Sequence, residues 1–104
     1  MMQATFGVRD RCVTISLGGI FDVHAHRSFQ LMRQQLQAHD DVRALELDLA
    51  AVTLMDSSAL GMLLELRRDV EARGIPIRIR HCSPFVARTL LYANFDRLFD
   101  ILPD

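Results

Sequence analysis

The sequence predicts an α/β fold in which helices lie mainly on one face of a mixed, mostly parallel sheet. Short segments that alternate apolar and polar residues are typical of half-buried strands, and longer segments with apolar residues three and four apart are typical of amphipathic helices. These segments follow one another in the order ββαβαβα, which favours helical crossovers between parallel strands. Because the strands alternate instead of being continuously apolar, we expect one face of the sheet to be less covered than in a doubly wound fold.

The first two strands are predicted to form a hairpin at one edge of the sheet. Residues 12–17, CVTISL, place three aliphatic side chains on one face, and Gly18-Gly19 is expected to end this strand. Residues 5–10, TFGVRD, form a weaker strand, and the polar residues 9–11 between the two are a suitable turn. The first strand is therefore expected to be antiparallel to its neighbour.

The next elements alternate between helix and strand. A helix is predicted from Ala25 to about Ala38, because Ala25, Phe29, Met32 and Leu36 recur at helical spacing. A strand follows at residues 44–52, ALELDLAAV. Residues 59–74, ALGMLLELRRDVEARG, have a broad apolar face and end in a glycine, which is typical of a helix and its C-terminal stop.

The last third of the chain continues the pattern. Residues 75–80, IPIRIR, alternate isoleucines with other residues and predict a strand. Ser83-Pro84 is typical of an N-cap followed by a proline in the first helical position, so a third helix is predicted there. The tail NFDRLFDILPD is expected to add one further turn and an extended end.

Composition indicates one soluble globular domain spanning residues 1–104. Half of the residues are hydrophobic, a quarter are charged, and the formal net charge is -1 with scattered basic residues, so a nucleic-acid partner is not expected. We find neither a signal segment nor an apolar run long enough to span a membrane, and we expect a cytoplasmic location. Cys12 and Cys82 lack the spacing of a zinc site or a redox pair.

The segment TLMDSSALGM, residues 53–62, raises the question of function. It places Asp56, Ser57 and Ser58 at the carboxyl end of a predicted strand, where open α/β sheets tend to hold functional loops. One interpretation is structural: a serine in this place caps the following helix by accepting a backbone N–H. That interpretation does not explain why two hydroxyls follow a carboxylate.

Catalysis and cofactor binding are less well supported. A nucleophile elbow needs small residues two before and two after the serine, and neither Ser57 nor Ser58 has both. His24 and His26 have no third metal ligand in a suggestive pattern, and the glycine pair lacks the context of a phosphate-binding loop. We therefore expect no enzyme activity, no metal and no cofactor.

Four stretches in the same order resemble the STAS domain family, whose members include sulfate-transporter tails and bacterial anti-sigma-factor antagonists. The most specific is TLMDSSALGMLLELRRDVEARG, with DSSALG at the helix start. GGIFDVHAHRSF is similar to the loop that enters the first helix, HCSPFVARTLL to the serine-proline helix and NFDRLFDIL to the terminal segment. The resemblance covers nearly the whole chain.

The resemblance implies a regulatory module in a partner-switching pathway. In anti-sigma-factor antagonists of this family, a partner anti-sigma factor that is a serine kinase phosphorylates the serine after the motif aspartate, and a phosphatase reverses it. That serine is Ser57, with Ser58 as the alternative. The implied partner-binding residues are Asp22, Asp56, Ser57, Ser58 and Ala59.

The same resemblance has further implications for binding, for the helix start and for an alternative function. The unphosphorylated form would bind the kinase and release the kinase's target, and phosphorylation would abolish that binding. Family members often have glycine at the position of Ala59, and alanine is expected to stiffen the helix start. Some STAS proteins are instead subunits of membrane lipid or anion transport complexes, which is the alternative function.

Overall fold

The computed structural model describes residues 2–102, so Met1, Pro103 and Asp104 lie outside the described residues. Within them one sheet has the strand order β1-β2-β3-β4-β5. The elements are β1 (Gln3–Arg9), β2 (Cys12–Phe21), a 3-10 turn (Val23–Ala25), α1 (His26–Gln37), β3 (Ala44–Met55), α2 (Ser57–Ala72), β4 (Ile77–Arg80), α3 (Pro84–Tyr92), a second 3-10 turn (Phe95–Arg97) and β5 (Asp100–Ile101). The predicted ββαβαβα order is confirmed, and the tail contributes a turn and a short fifth strand.

The sheet is mixed, as predicted, with its antiparallel strand at one edge. β1 pairs antiparallel with β2, whereas β2–β3, β3–β4 and β4–β5 are parallel. The two strands of the hairpin are joined through Asp10 and Arg11, whose φ angles are 51° and 66°. Two consecutive left-handed residues match the twist of the flanking strands, which explains why this short polar turn closes the hairpin.

The prediction that Gly18-Gly19 ends β2 is wrong. The strand continues to Phe21, and its register against β3 shifts between Ser16 and Gly18 and again between Gly19 and Ile20. A Cβ on Gly18 would lie 3.1 Å from the Cβ of Ala51, and Gly19 has a φ of 81°. The glycines therefore permit a close approach and an irregular bend within the strand instead of terminating it.

One face of the sheet forms the core, and the other carries ion pairs between neighbouring strands. The inward side chains of β2 and β3 are almost completely buried: Val13, Ile15, Leu17, Leu45, Leu47 and Leu49. On the opposite face, Arg80 bonds Glu46 at 3.0 Å and Arg78 lies 3.5 Å from Asp100. The helices therefore cover mainly one face, as predicted, because only that face needs to be removed from water.

Helices α1 and α2 are joined by an ion-pair cluster. The Arg33 guanidinium donates to both oxygens of Asp69, at 2.7 and 3.1 Å, and to Glu65 at 2.6 Å. The hydrogen bonds to Asp69, together with the charges of both carboxylates, outweigh partial burial and raise the pKa of Arg33. The cluster fixes how α1 lies against α2, and α2 carries the candidate site at its N-terminus.

The predicted ends of α2 and α3 are confirmed. After α2, Gly74 has a φ of 68°, and the Ile75 N–H donates to Val70 O at 2.9 Å. Before α3, the Ser83 hydroxyl accepts the Val86 N–H at 3.2 Å, and Pro84 occupies the first helical position. None of the helices in residues 2–102 combines the length and the hydropathy that a membrane crossing requires.

Candidate functional site

The site lies where the parallel strands β2 and β3 end side by side. Phe21 pairs with Met55 in the last register position, and the Asp56 N–H donates to Phe21 O at 3.4 Å. The residues that follow this pair are Asp22 and Asp56. The sheet therefore places two carboxylates from distant parts of the sequence at one edge, the carboxyl end of the parallel strands.

Asp56 is the N-cap of α2. Its backbone is extended, and its Oδ1 accepts the N–H groups of Ser58 at 2.9 Å and Ala59 at 3.2 Å. These are N–H groups of the first turn, which have no partner within a helix. The interpretation that a serine caps this helix is therefore wrong, because the carboxylate performs that role.

Neither serine hydroxyl caps α2. Ser57 is the first residue of α2 and is exposed, whereas Ser58 is half-buried. Neither hydroxyl forms a hydrogen bond among residues 2–102. Ala59 is completely buried, so its methyl group lies in the core beneath the surface that the other four predicted site residues form.

Asp22 begins the turn that leads into α1. Its Oδ1 accepts the His24 N–H at 3.0 Å, and the His24 ring nitrogen Nδ1 lies 3.3 Å from the same oxygen. Partial burial acts to raise the pKa of Asp22, but the hydrogen bonds and the charge of His24 outweigh it, and the pKa is lowered. The lowered pKa favours the carboxylate form of Asp22, which follows β2 as Asp56 follows the neighbouring strand β3.

Exposed apolar side chains flank the carboxylates. Ile20 and Leu54 are register partners on neighbouring strands, with exposed fractions of 38% and 47%. Val23, directly after Asp22, is 59% exposed. Sequence reasoning missed all three. The available signal was their alternation with buried Phe21 and Met55, which places Ile20 and Leu54 on the face that no helix covers.

The arrangement has features that suit recognition by another protein. Among the described residues, no group of three or more histidine, cysteine or acidic side chains is placed to hold a metal ion. An exposed hydroxyl next to the Asp56 carboxylate, with Asp22 at the end of the neighbouring strand and exposed apolar side chains around them, offers a partner both charge and area to bury. A partner enzyme could also modify the hydroxyl without disturbing the cap.

Comparison with known proteins identifies the family. A family model described as "Mlab, STAS domain" matches residues 4–103, and the chain therefore belongs to the STAS domain family. This confirms the resemblance carried by the DSSALG stretch and its companions. The sequence is 38% identical over 89 residues to the STAS-domain containing protein PA14_20770 of Pseudomonas aeruginosa, with 86% of each chain covered.

Other similarities extend to transporters and to regulators. The human sulfate transporter is 35% identical over 88 residues, which are 85% of this chain and 11% of the transporter. A putative anti-sigma factor antagonist from Thermotoga maritima has a TM-score of 0.86 at 18% identity, with 97% of this chain and 86% of that chain covered. The phosphorylated form of the Bacillus cell fate determinant SpoIIAA has a TM-score of 0.71 at 20% identity, covering 100% and 93%. These two structures share the fold.

Proposed function

We propose that this protein is a phosphorylation-controlled anti-sigma-factor antagonist in a partner-switching pathway. The observation that carries the proposal is the exposed Ser57 hydroxyl, which is free because Asp56 caps α2 in its place. Two structural neighbours support it: one is named a putative anti-sigma factor antagonist, and the other was solved in a phosphorylated form. The protein would act as one domain in the cytoplasm, as a binding partner and not as a catalyst.

The unphosphorylated form would bind a cognate anti-sigma serine kinase through Asp22, Asp56, Ser57 and Ser58. In the kinase, the Ser57 oxygen would attack the γ-phosphorus of ATP, the bond to the β-phosphate oxygen would break, and the hydroxyl proton would pass to a base of the kinase. ADP would leave. A phosphatase would later direct water to the same phosphorus, which restores the hydroxyl and releases inorganic phosphate.

The physical effect of this modification falls on the complex. A phosphoserine carries about -1.5 to -2 charges at pH 7. In an interface beside Asp56, an unpaired dianion costs several kcal/mol to desolvate. Since about 1.4 kcal/mol is a tenfold change in affinity, a loss on the order of a thousandfold is within reach. The unphosphorylated protein would then be the form that captures the kinase and releases its target.

Mass spectrometry of the protein isolated from its own cells tests the proposal. We expect a fraction of the chains to carry one phosphate, and fragment ions to place it on Ser57. Ser57→Ala should abolish the modification, whereas the matched variant Ser58→Ala should retain it. Phosphate that persists in Ser57→Ala would move the site to Ser58, and its absence under all growth conditions would contradict the proposal.

A STAS subunit of a membrane lipid or anion transport complex is the second candidate. The specific observation in its favour is the similarity to the human sulfate transporter, of which this chain spans about a tenth. In that case the same surface would hold a transport component permanently. Purification from native membranes distinguishes the two: stable association with an ATPase or transporter subunit, unchanged in Ser57→Asp, would favour the transport complex.

A further inference from the structure

The outer edge of β1 is an unprotected strand edge. Among residues 2–102, β1 pairs with β2 on one side and with no strand on the other. It is seven residues long and mostly exposed, and from Gln3 to Val8 it contains no charge and no proline. Natural proteins usually guard such edges with charges, prolines or very short strands. The opposite edge, β5, is only two residues long and carries Asp100, which pairs with Arg78.

An apolar strip runs along this edge on the side of the helices. Ala4, Phe6 and Val8 pair with the core residues Leu17, Ile15 and Val13, so all three point to the same face. Val8 is nevertheless 50% exposed, and Leu31 of α1 is 56% exposed. A shallow cavity of about 230 Å³ lies between β1 and α1, and none of the described residues that line it is charged.

The backbone of β1 offers hydrogen-bonding groups at the same positions. A two-residue hairpin loop closes on a hydrogen-bonded pair, here Arg9 and Cys12, and hydrogen-bonded pairs then alternate along an antiparallel ladder. The N–H and C=O groups of Ala4, Phe6 and Val8 therefore point away from β2, toward the free edge. These three positions are symmetric about Phe6.

We propose that a second copy of this chain docks on β1, strand against strand, about a two-fold axis at Phe6. In this register Phe6 faces Phe6 of the second copy, and Ala4 faces its Val8. Each outward N–H group therefore meets a C=O group of the second copy, and each outward C=O group meets an N–H. Such an isologous contact is self-complementary and closed. The two sheets become one continuous sheet, and the apolar strips of both copies cover each other.

The charges along β1 and the area that the contact would bury are both compatible with a second copy of the chain. Arg9 lies opposite the neutral Gln3 of the second copy, so the register brings no like charges together. Pairing of two seven-residue strands, with Leu31 alongside, places the contact toward the small end of protein interfaces, below about 1,200 Å², and implies a reversible dimer. Asp22 follows β2 and Ser57 is the first residue of α2, so neither belongs to β1, and the inference is independent of the proposed function.

Sedimentation of the full chain over a range of concentrations tests the dimer. The wild-type mass should rise from 11.8 kDa toward twice that value as concentration increases to the order of 100 μM. Val8→Lys should shift the transition to at least about tenfold higher concentration, because it buries a charge at the edge. Val23→Lys is the matched control, since Val23 is similarly exposed but lies outside β1, and it should dimerise like the wild type.

A charge-swap experiment tests the register and excludes misfolding as a cause. Ala4→Glu and Val8→Lys should each be mainly monomeric alone at the concentration at which the wild type dimerises. Their mixture should form a heterodimer, because the carboxylate introduced in one copy then faces the ammonium group introduced in the other. Circular dichroism should show both variants folded. A wild-type chain that stays at 11.8 kDa throughout, or a mixture that fails to associate, overturns the proposal; the first outcome would point instead to an extended segment of another protein.

Discussion

Asp56 does two things with one carboxylate: it caps α2, and it frees the neighbouring hydroxyls. Replacing it with alanine removes the acceptor for two first-turn N–H groups. We expect Asp56→Ala to lower the free energy of unfolding by about 0.5–2 kcal/mol. Urea denaturation followed by far-ultraviolet circular dichroism measures the change.

Asp56→Asn is the control for this effect. Asparagine keeps the capping oxygen and loses the charge, and it ranks with aspartate as an N-cap, so its stability should lie close to that of the wild type. Equal stabilities of wild type and Asp56→Ala would show that the cap contributes nothing, and that Asp56 serves only recognition.

Asp22 makes the stability of the protein depend on pH in one direction. Its pKa in the folded chain lies below the ordinary value of 3.8, so the unfolded chain binds the proton more tightly. The stabilisation by the Asp22 carboxylate is therefore complete above pH 3.8 and is lost as pH falls through the lower, folded pKa.

Asp22→Asn should remove this dependence. Asparagine still accepts the His24 N–H but carries no charge, so the variant should be less stable than the wild type near pH 6, and the gap should narrow below pH 3.8. Urea midpoints measured across that range test the sign. A gap that widens on acidification would contradict the assigned shift.

The sequence predicted which polar residues lie at the candidate site, but not which of their side chains form hydrogen bonds with each other or with the backbone. The order Asp56, Ser57, Ser58 after an apolar run indicated a strand-to-helix connection with exposed polar groups. Which side chain caps the helix depends on backbone angles that a sequence does not contain, since aspartate and serine are almost equally good N-caps. The adjacency of Asp22 depends on the register of β2 against β3.

At the scale of elements, replacement by alanine should have opposite effects on stability at two glycines, although the space around both is open. Gly61 lies within α2 and Gly74 just beyond it, and a Cβ at either position would meet no atom within 4 Å. Gly61→Ala should stabilise the protein by about 0.8–1 kcal/mol through helix propensity. Gly74→Ala should destabilise it by about 1–2 kcal/mol, because its φ of 68° disfavours a side chain.

Each glycine variant controls for the other, since the chemical change is identical. Thermal or urea unfolding of both proteins supplies the measurement. If Gly74→Ala had the same free energy of unfolding as the wild type, the left-handed backbone conformation at residue 74 would not be required to connect α2 to β4.

Element types were predictable because periodicity follows directly from which face is buried. Alternation at residues 12–17 is typical of a half-buried strand, and helical spacing at residues 59–74 is typical of an amphipathic helix. The length of β2 was not predictable, because the glycine pair is compatible both with a turn and with an irregular strand. Only the close approach of Gly18 to Ala51 on β3 decides between them, and that is a tertiary contact.

At the scale of the whole molecule, the fold and the proposed phosphorylation switch are separable. The core lies between one face of the sheet and the helices, whereas Ser57 stands at the surface at the end of β3. A negative charge at Ser57 gains about 0.3–1 kcal/mol from the N-terminus of α2, which offsets repulsion from Asp56. Phosphorylation should therefore change what the domain binds and leave its structure intact.

Ser57→Asp tests this separation in one variant. Its urea midpoint should match that of the wild type, because the favourable helix end and the nearby carboxylates oppose each other. Its affinity for the partner kinase should fall at least tenfold, since the added charge must be desolvated in the interface. Isothermal titration against the purified kinase measures the affinity, with Ser57→Ala as the uncharged control. If Ser57→Asp bound the kinase as tightly as Ser57→Ala, the added charge could not be the cause of the weaker binding of the phosphorylated form. Hydrogen exchange of the phosphorylated chain would then test whether phosphorylation changes the conformation of α2.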